Sequence, residues 1–162
     1  MKYLIKIPDI VTLLNLVSGL LSIKYSIEGN FLLASIFLLL AVFFDFIDGK
    51  IARLMKIESK LGANLDSLSD LVSFGVAPAF FVYLLFNDIL IFIISILFVC
   101  SGAFRLAKFN VLKKKVFEGM PITLNGVIFP LLFFIKANYY IYLSVLIITS
   151  ILMVSKIKVK RL

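Results

Sequence analysis

Six apolar runs follow one another along this chain, and short polar breaks separate them. The runs cover about residues 10–27, 31–53, 65–86, 88–107, 121–136 and 139–155. The chain has 162 residues, of which 62% are hydrophobic, and its mean hydropathy is +1.13. A soluble domain of this length is nearer half apolar, because it must present polar side chains to water. Lipid is therefore the expected solvent for most of these side chains.

The expected secondary structure of these runs is helical. In hydrocarbon every backbone polar group needs a partner inside the protein, and a helix supplies those partners within each segment. The runs lack the alternation of apolar and polar residues that a membrane β-barrel requires. The sequence predicts an all-α integral membrane protein with six transmembrane helices, organised as one domain over residues 1–162.

The distribution of basic residues predicts how this bundle is oriented. Of the 17 Lys and Arg residues, all but Lys24 and Lys136 fall on one side of a six-helix arrangement. That side is expected to be cytoplasmic and to include both termini, in a multi-pass protein of the plasma membrane. The net charge of +8 is concentrated at the ends of apolar runs. This placement suits anionic lipid headgroups, so nucleic acid is not an expected partner.

Histidine and cysteine contribute little to any chemistry in this chain. The sequence contains no His, and Cys100 is its single Cys, so an intramolecular disulfide is excluded. The commonest catalytic base and transition-metal ligand is therefore missing. Acid–base or metal chemistry has to rely on carboxylates.

Four of the nine acidic residues interrupt or open apolar runs, where carboxylates are costly. Each such charge costs about 2.5–3.5 kcal/mol at the centre of a membrane helix. Asp45 and Asp48 are spaced i and i+3, and Asp66 and Asp70 are spaced i and i+4, so each pair shares one helix face. The short segment between the pairs allows consecutive antiparallel helices. We expect the four carboxylates to converge near the cytoplasmic end of the bundle.

Two explanations of this convergence remain open. Nearby basic residues could neutralise the aspartates as ion pairs; they are Lys50, Arg53, Lys56 and Lys60. Alternatively the carboxylates bind one or two hard divalent ions, Mg²⁺ or Mn²⁺ and possibly Ca²⁺, which prefer oxygen ligands. The second explanation also accounts for Gly49, Ala52 and Gly62, since small residues let a bulky ligand approach a helix closely.

The residues of this region carry a family resemblance. The pattern D-x2-D-G-x2-A-R-x8-G-x3-D-x3-D over residues 45–70 resembles the signature of the CDP-alcohol phosphatidyltransferase family. Members transfer a phosphatidyl or archaetidyl group from a CDP-linked lipid to an alcohol and release CMP. The resemblance implies that Asp45, Asp48 and Asp66 ligate metal, and that Asp70 ligates a second ion, acts as general base, or both. It also implies a nucleotide site formed by Gly49, Ala52, Arg53 and Gly62.

Segments outside the signature resemble the members of the family that use L-serine as the acceptor. These segments are Ile7–Asn15, Ser18–Gly19, Ser73–Pro78, Arg105–Asn110 and Phe117–Pro121. Asp9 departs from the pattern, which has Asn at that position. The resemblance implies that Thr12 and Asn15 contact the nucleotide or the acceptor, although they could also form hydrogen bonds between helices.

The acceptor site is predicted around Arg105, Lys108 and Asn110. Arg105 and Lys108 could bind the serine carboxylate, while Asn110 or Asn15 contacts the ammonium group; alternatively the two cations only anchor the fourth helix at the membrane surface. Inositol phosphate and glycerol phosphate remain alternative acceptors. A cation transporter is a more distant alternative, because carboxylates within membrane helices commonly mark ion paths. The resemblance also implies a homodimer.

Overall fold

The computed structural model describes residues 6–55, 59–112, 117–155 and 158–159. Helices account for almost all of this chain, in the order α1 Ile7–Ile27, α2 Phe31–Met55, α3 Lys60–Asp70, a π-helical segment Leu71–Val76, α4 Ala77–Phe86, α5 Ile89–Leu112, a 3₁₀ turn Ile122–Leu124, α6 Asn125–Phe134 and α7 Tyr139–Val154. Two short strands complete the list, β1 Phe117–Glu118 and β2 Lys158–Val159.

The prediction of a largely helical protein is confirmed for the described residues. Four helical segments are long and apolar enough to cross a membrane, namely Ile7–Ile27, Phe31–Met55, Lys60–Phe86 and Ile89–Val111. The last two predicted spans correspond to apolar helices of fewer than 18 residues, Ile122–Phe134 and Tyr139–Val154. The two strands were not predicted, and they pair antiparallel, Phe117 with Val159 and Glu118 with Lys158.

Several of the predicted cytoplasmic cations lie outside the described residues. They are Lys2, Lys56, Lys113, Lys114, Lys115, Lys156, Lys160 and Arg161.

Local capping residues determine where the helices begin and end. The Asp9 carboxylate accepts a hydrogen bond from the Lys6 backbone N–H at 2.9 Å, which fixes the first turn of α1. Ser59 caps α3 by accepting from the Gly62 N–H at 2.9 Å. The third helical segment therefore begins at Lys60, five residues before the predicted 65, and it includes Gly62. At the other end of this segment, Asn87 has a left-handed backbone with φ of 48° and terminates α4.

A cluster of aromatic side chains lies at the end of the bundle where α2 and α7 begin and α4 ends. Phe31 of α2 contacts Phe81 of α4 with ring centroids 5.5 Å apart, and Phe81 contacts Phe133 of α6 at 5.9 Å. Phe86 packs against Tyr142 of α7 at 5.2 Å. These edge-to-face contacts join four helices far from the aspartates of α2, since fourteen residues of helix span about 21 Å.

Candidate active site

Three of the four predicted aspartates form one compact group. Asp45 and Asp48 lie on the same face of α2, and Asp66 lies on α3, which follows α2 after residues 56–59. One carboxylate oxygen from each residue lies within 4.8 Å of the other two. The structure thus brings together the side chains that the i, i+3 spacing and the short connection predicted to converge.

The surroundings of this group leave part of its hydrogen-bonding capacity unused. Asp48 is only 4% exposed, and its Oδ2 atom has no hydrogen-bond partner among the described residues. A buried carboxylate oxygen without a partner is energetically costly, and neighbouring like charges increase that cost. A divalent cation ligated by these oxygens would remove both penalties. The donor set, all oxygen, suits a hard ion such as Mg²⁺, Mn²⁺ or Ca²⁺.

Asp70 occupies a different position from the other three aspartates. It lies one turn after Asp66 at the end of α3 and is 7% exposed. Its Oδ1 atom accepts a hydrogen bond from the Asn15 side-chain amide of α1 at 3.2 Å. Asp45 lies within hydrogen-bonding reach of Asp70, so the fourth carboxylate adjoins the group of three without joining it.

The polar face of α1 is directed at these aspartates. Thr12 is buried and lies within reach of the Asp48 carboxylate, while its hydroxyl donates to the Pro8 carbonyl oxygen at 3.1 Å. Asn15, one turn further along α1, contacts Asp70 as described above. Both residues that were predicted to contact a substrate therefore lie beside the carboxylates. For Asn15 the observed partner is an aspartate of the site itself.

The small residues of the signature have two different environments. A Cβ added at Gly49 would meet no atom within 4 Å, so the helix surface beside Asp48 is open to a ligand. A Cβ at Gly62 would instead lie 3.0 Å from Asp9 Oδ1, so Gly62 permits the close approach of α3 to the start of α1. Arg53 is exposed, and its Nε donates to the Gly49 carbonyl oxygen at 3.0 Å. Ala52 is half-buried.

The three predicted acceptor residues all lie on the last part of α5. Arg105 is 7% exposed, interacts electrostatically with Asp70, and has an Nε atom without a partner among the described residues. Asn110 donates from its amide to Ser67 Oγ at 3.0 Å, which ties α5 to α3 one residue after Asp66. Lys108 is half-buried on the same helix. Arg105 therefore lies within electrostatic range of Asp70, and Asn110 contacts α3.

Sequence reasoning missed Thr123 of the 3₁₀ turn, whose side chain lies within hydrogen-bonding reach of Asp45. The preceding loop positions it: the Met120 N–H donates to the Leu152 carbonyl oxygen at 3.1 Å. Gly119 has φ of 81°, and an added Cβ would lie 2.5 Å from the Met153 carbonyl oxygen. The loop can therefore dock on the end of α7 only with glycine there. A polar residue opening an apolar run was the signal that could have identified Thr123.

Fold and site together define a protein of membrane-length helices with a cluster of carboxylates suited to a divalent metal. The sequence model described as CDP-alcohol phosphatidyltransferase matches residues 5–158, nearly the whole chain. The chain belongs to this family, as the signature predicted.

Three relatives match most of the chain as well. A CDP-diacylglycerol–serine O-phosphatidyltransferase of Methanocaldococcus jannaschii is 43% identical over 97% of this chain and 75% of its own length. An archaetidylserine synthase of Methanothermobacter thermautotrophicus is 41% identical over 97% of this chain and 70% of its own. A CDP-diacylglycerol–serine O-phosphatidyltransferase of Bacillus subtilis is 37% identical over 94% of this chain and 88% of its own.

Proposed function

We propose that this protein transfers a phosphatidyl or archaetidyl group from a CDP-linked lipid to the hydroxyl of L-serine and releases CMP. The observation that carries the proposal is the convergence of Asp45, Asp48 and Asp66 within the family signature. The names of the three relatives support serine as the acceptor. In the reaction the serine oxygen forms a bond to the phosphorus that carries the lipid, and the bond from that phosphorus to CMP breaks.

Asp45, Asp48 and Asp66 would hold the divalent ion, Mg²⁺ or Mn²⁺ and possibly Ca²⁺, and Asp70 could contribute to a second ion. A bound ion neutralises charge on the transferring phosphoryl group and on the departing CMP. The nucleotide would lie against Gly49 and the neighbouring signature residues. The open helix surface at Gly49 supports this placement, and the other proposed contacts are Thr12, Asn15, Ala52, Arg53 and Gly62.

Asp70 is the proposed general base of the reaction. A carboxylate beside the acceptor hydroxyl can take its proton as the new bond to phosphorus forms. Asp70 suits this role because it adjoins the three clustered carboxylates and interacts electrostatically with a buried cation, Arg105. An Arg can bind the serine carboxylate through two parallel hydrogen bonds, which would place the hydroxyl of a small amino acid near Asp70. Lys108 and Asn110 would complete the acceptor site.

Release of CMP by the purified protein tests this function. The assay contains CDP-diacylglycerol or CDP-archaeol with Mg²⁺ or Mn²⁺, and compares serine, inositol phosphate and glycerol phosphate as acceptors. We expect CMP release with serine, and its loss in Asp45→Asn but not in Asp88→Asn, an aspartate outside the site. Release with a phosphate-bearing acceptor alone would reject serine, and no release with any acceptor would reject the enzyme.

We propose further that all six helical segments lie in the plasma membrane, with both termini and the active site facing the cytoplasm. The cation distribution supports this orientation. Single cysteines introduced at Glu28 and at Ser59 in a Cys100→Ala background test it. A membrane-impermeant maleimide added to intact cells should label the residue 28 variant and not the residue 59 variant. The opposite labelling pattern would reverse the proposed orientation.

The chain is proposed to act as one domain over residues 1–162 and to form a homodimer. The single family match over residues 5–158 supports one domain. The homodimer rests on the family resemblance, and mass photometry or light scattering of the purified protein would detect it.

A further inference from the structure

Asn15 is buried in the middle of α1, and its side-chain amide contacts Asp70, a residue 55 positions later in the chain. Asn15 has an exposed fraction of 0%, and its Nδ2 atom donates to Asp70 Oδ1 at 3.2 Å. One explanation is that this interhelical hydrogen bond merely holds two membrane helices together. Its acceptor, however, is the carboxylate that adjoins the three clustered aspartates.

A second hydrogen bond fixes the backbone of Asn15 against the same segment. The Ser73 hydroxyl donates to the Asn15 carbonyl oxygen at 3.0 Å. Gly19, one turn beyond Asn15, permits this contact, because a Cβ there would lie 2.4 Å from Ser73 Oγ and 2.7 Å from Ser73 Cα. Backbone atoms cannot move aside as a flexible side chain can, so α1 reaches this distance only with glycine at residue 19.

The segment that carries Ser73 is itself irregular. The α-helix ends at Asp70, and the next six residues, Leu71–Val76, form a π-helix before α4 begins. Such π-helical turns are uncommon, and they occur frequently at functional sites. Here the irregular turn begins immediately after Asp70 and holds Ser73 against α1. Asp70 is therefore fixed on two sides, by its own helix and by Asn15.

We propose that Asn15 is a positioning residue for Asp70. Its amide engages Oδ1 and restricts rotation of the carboxyl group, so that Oδ2 remains available to the acceptor hydroxyl in one orientation. Ser73 and Gly19 hold α1 at the distance that this hydrogen bond requires. The inference rests on the proposed function of Asp70 as base. It assigns Asn15 a role in orienting the reacting carboxylate, which differs from a contact with the nucleotide.

Steady-state kinetics of Asn15→Ala, Ser73→Ala and the double variant test this role. Positioning contacts to a reacting group are typically worth 10- to 100-fold, so we expect kcat of Asn15→Ala to fall by about 10- to 100-fold. The KM for serine and the affinity for CDP-diacylglycerol, measured without acceptor, should change less than about 3-fold. Ser73→Ala should lower kcat by about 5-fold, as one ordinary hydrogen bond would.

Since both residues act through one contact, the double variant should be no slower than Asn15→Ala alone. Ser22→Ala is the matched control: Ser22 is buried on the same helix, and its hydroxyl has no partner among the described residues. Ser22→Ala should retain the wild-type kcat. In detergent, the unfolding temperature of Asn15→Ala should lie within a few degrees of that of Ser22→Ala.

Several results would overturn the proposal. They are an unchanged kcat in Asn15→Ala, a weaker CDP-diacylglycerol affinity that accounts for the whole loss, or multiplicative losses in the double variant. If Asn15→Ala does not fold, an unchanged kcat in Ser73→Ala would have the same meaning. Wild-type protein distinguishes failure of this proposal from failure of the proposed function. The proposed function requires that the wild type release CMP with serine, whatever the variants do.

Discussion

Asp88 follows the C-terminal end of the helical segment Lys60–Phe86, whereas Asp66 and Asp70 lie in its N-terminal half, and the surroundings of these carboxylates differ. Asp88 Oδ1 accepts hydrogen bonds from the Leu90 and Ile91 N–H groups at 2.9 and 3.1 Å and from the Tyr139 hydroxyl at 2.8 Å. Asp48, in contrast, has a buried oxygen without a partner among the described residues. The same residue type is satisfied at one end of the bundle and unsatisfied at the other.

The difference separates a carboxylate that protein groups satisfy from carboxylates that are proposed to bind a metal ion. At Asp88 the backbone N–H of Ile91 and the Tyr139 hydroxyl stabilise the ionised form and lower the pKa of the carboxyl group. Those partners cap α5 and connect it to α7, so protein groups alone complete the arrangement. In the cluster of Asp45, Asp48 and Asp66, the proposed divalent ion would supply the positive charge that the described protein groups do not provide.

The largest predicted effect concerns Asp70. Asp70→Asn should abolish turnover, because an amide cannot accept the proton of the acceptor hydroxyl. CDP-diacylglycerol binding should be largely retained, since the three clustered carboxylates remain intact. CMP release and equilibrium binding of the lipid, measured on the same preparation, check both parts. Turnover near the wild-type rate would reject Asp70 as the base, and Asp88→Asn controls for the loss of one carboxylate charge.

An intermediate effect is predicted for Arg105 on α5. Arg105→Lys keeps the charge but loses the bidentate hydrogen bonding to a carboxylate, so the KM for serine should rise by about 10-fold. The KM for the CDP-linked lipid should stay within about 2-fold. Saturation curves for each substrate measure the two KM values. Equal increases in both values would show that Arg105 supports the fold or the whole site and does not select the acceptor.

The smallest effect is predicted at Asp88, where the change should alter stability without altering kcat. Because its pKa is lowered in the folded protein, ionised Asp88 stabilises the fold above the ordinary pKa of about 3.9. That contribution disappears as the pH falls through the lowered value. Asp88→Asn should therefore unfold a few degrees below wild type at pH 7, and the difference should shrink as the pH falls below about 4 and vanish below the lowered pKa of Asp88. A difference in unfolding temperature that is independent of pH would contradict this explanation.

The sequence was sufficient to predict the helical segments and the meeting of three carboxylates. Both follow from local rules: apolar runs become helices in lipid, and i, i+3 residues share a face. The separate position of Asp70 was not predictable, because i, i+4 spacing places it on the face of Asp66 without indicating what lies opposite. That neighbour, Asn15, is 55 residues away along the chain. Thr123 and the π-helical turn after Asp70 likewise depend on tertiary packing.

The central claim is that Asp45, Asp48 and Asp66 hold a divalent metal ion, and Mn²⁺ binding tests it most directly. Electron paramagnetic resonance of metal-free protein in detergent reports free and bound Mn²⁺ without requiring turnover. The wild type and Asp88→Asn should bind Mn²⁺ with the same affinity, and Asp48→Asn should bind it at least about 10-fold more weakly. Equal Mn²⁺ affinity in all three proteins would contradict the account.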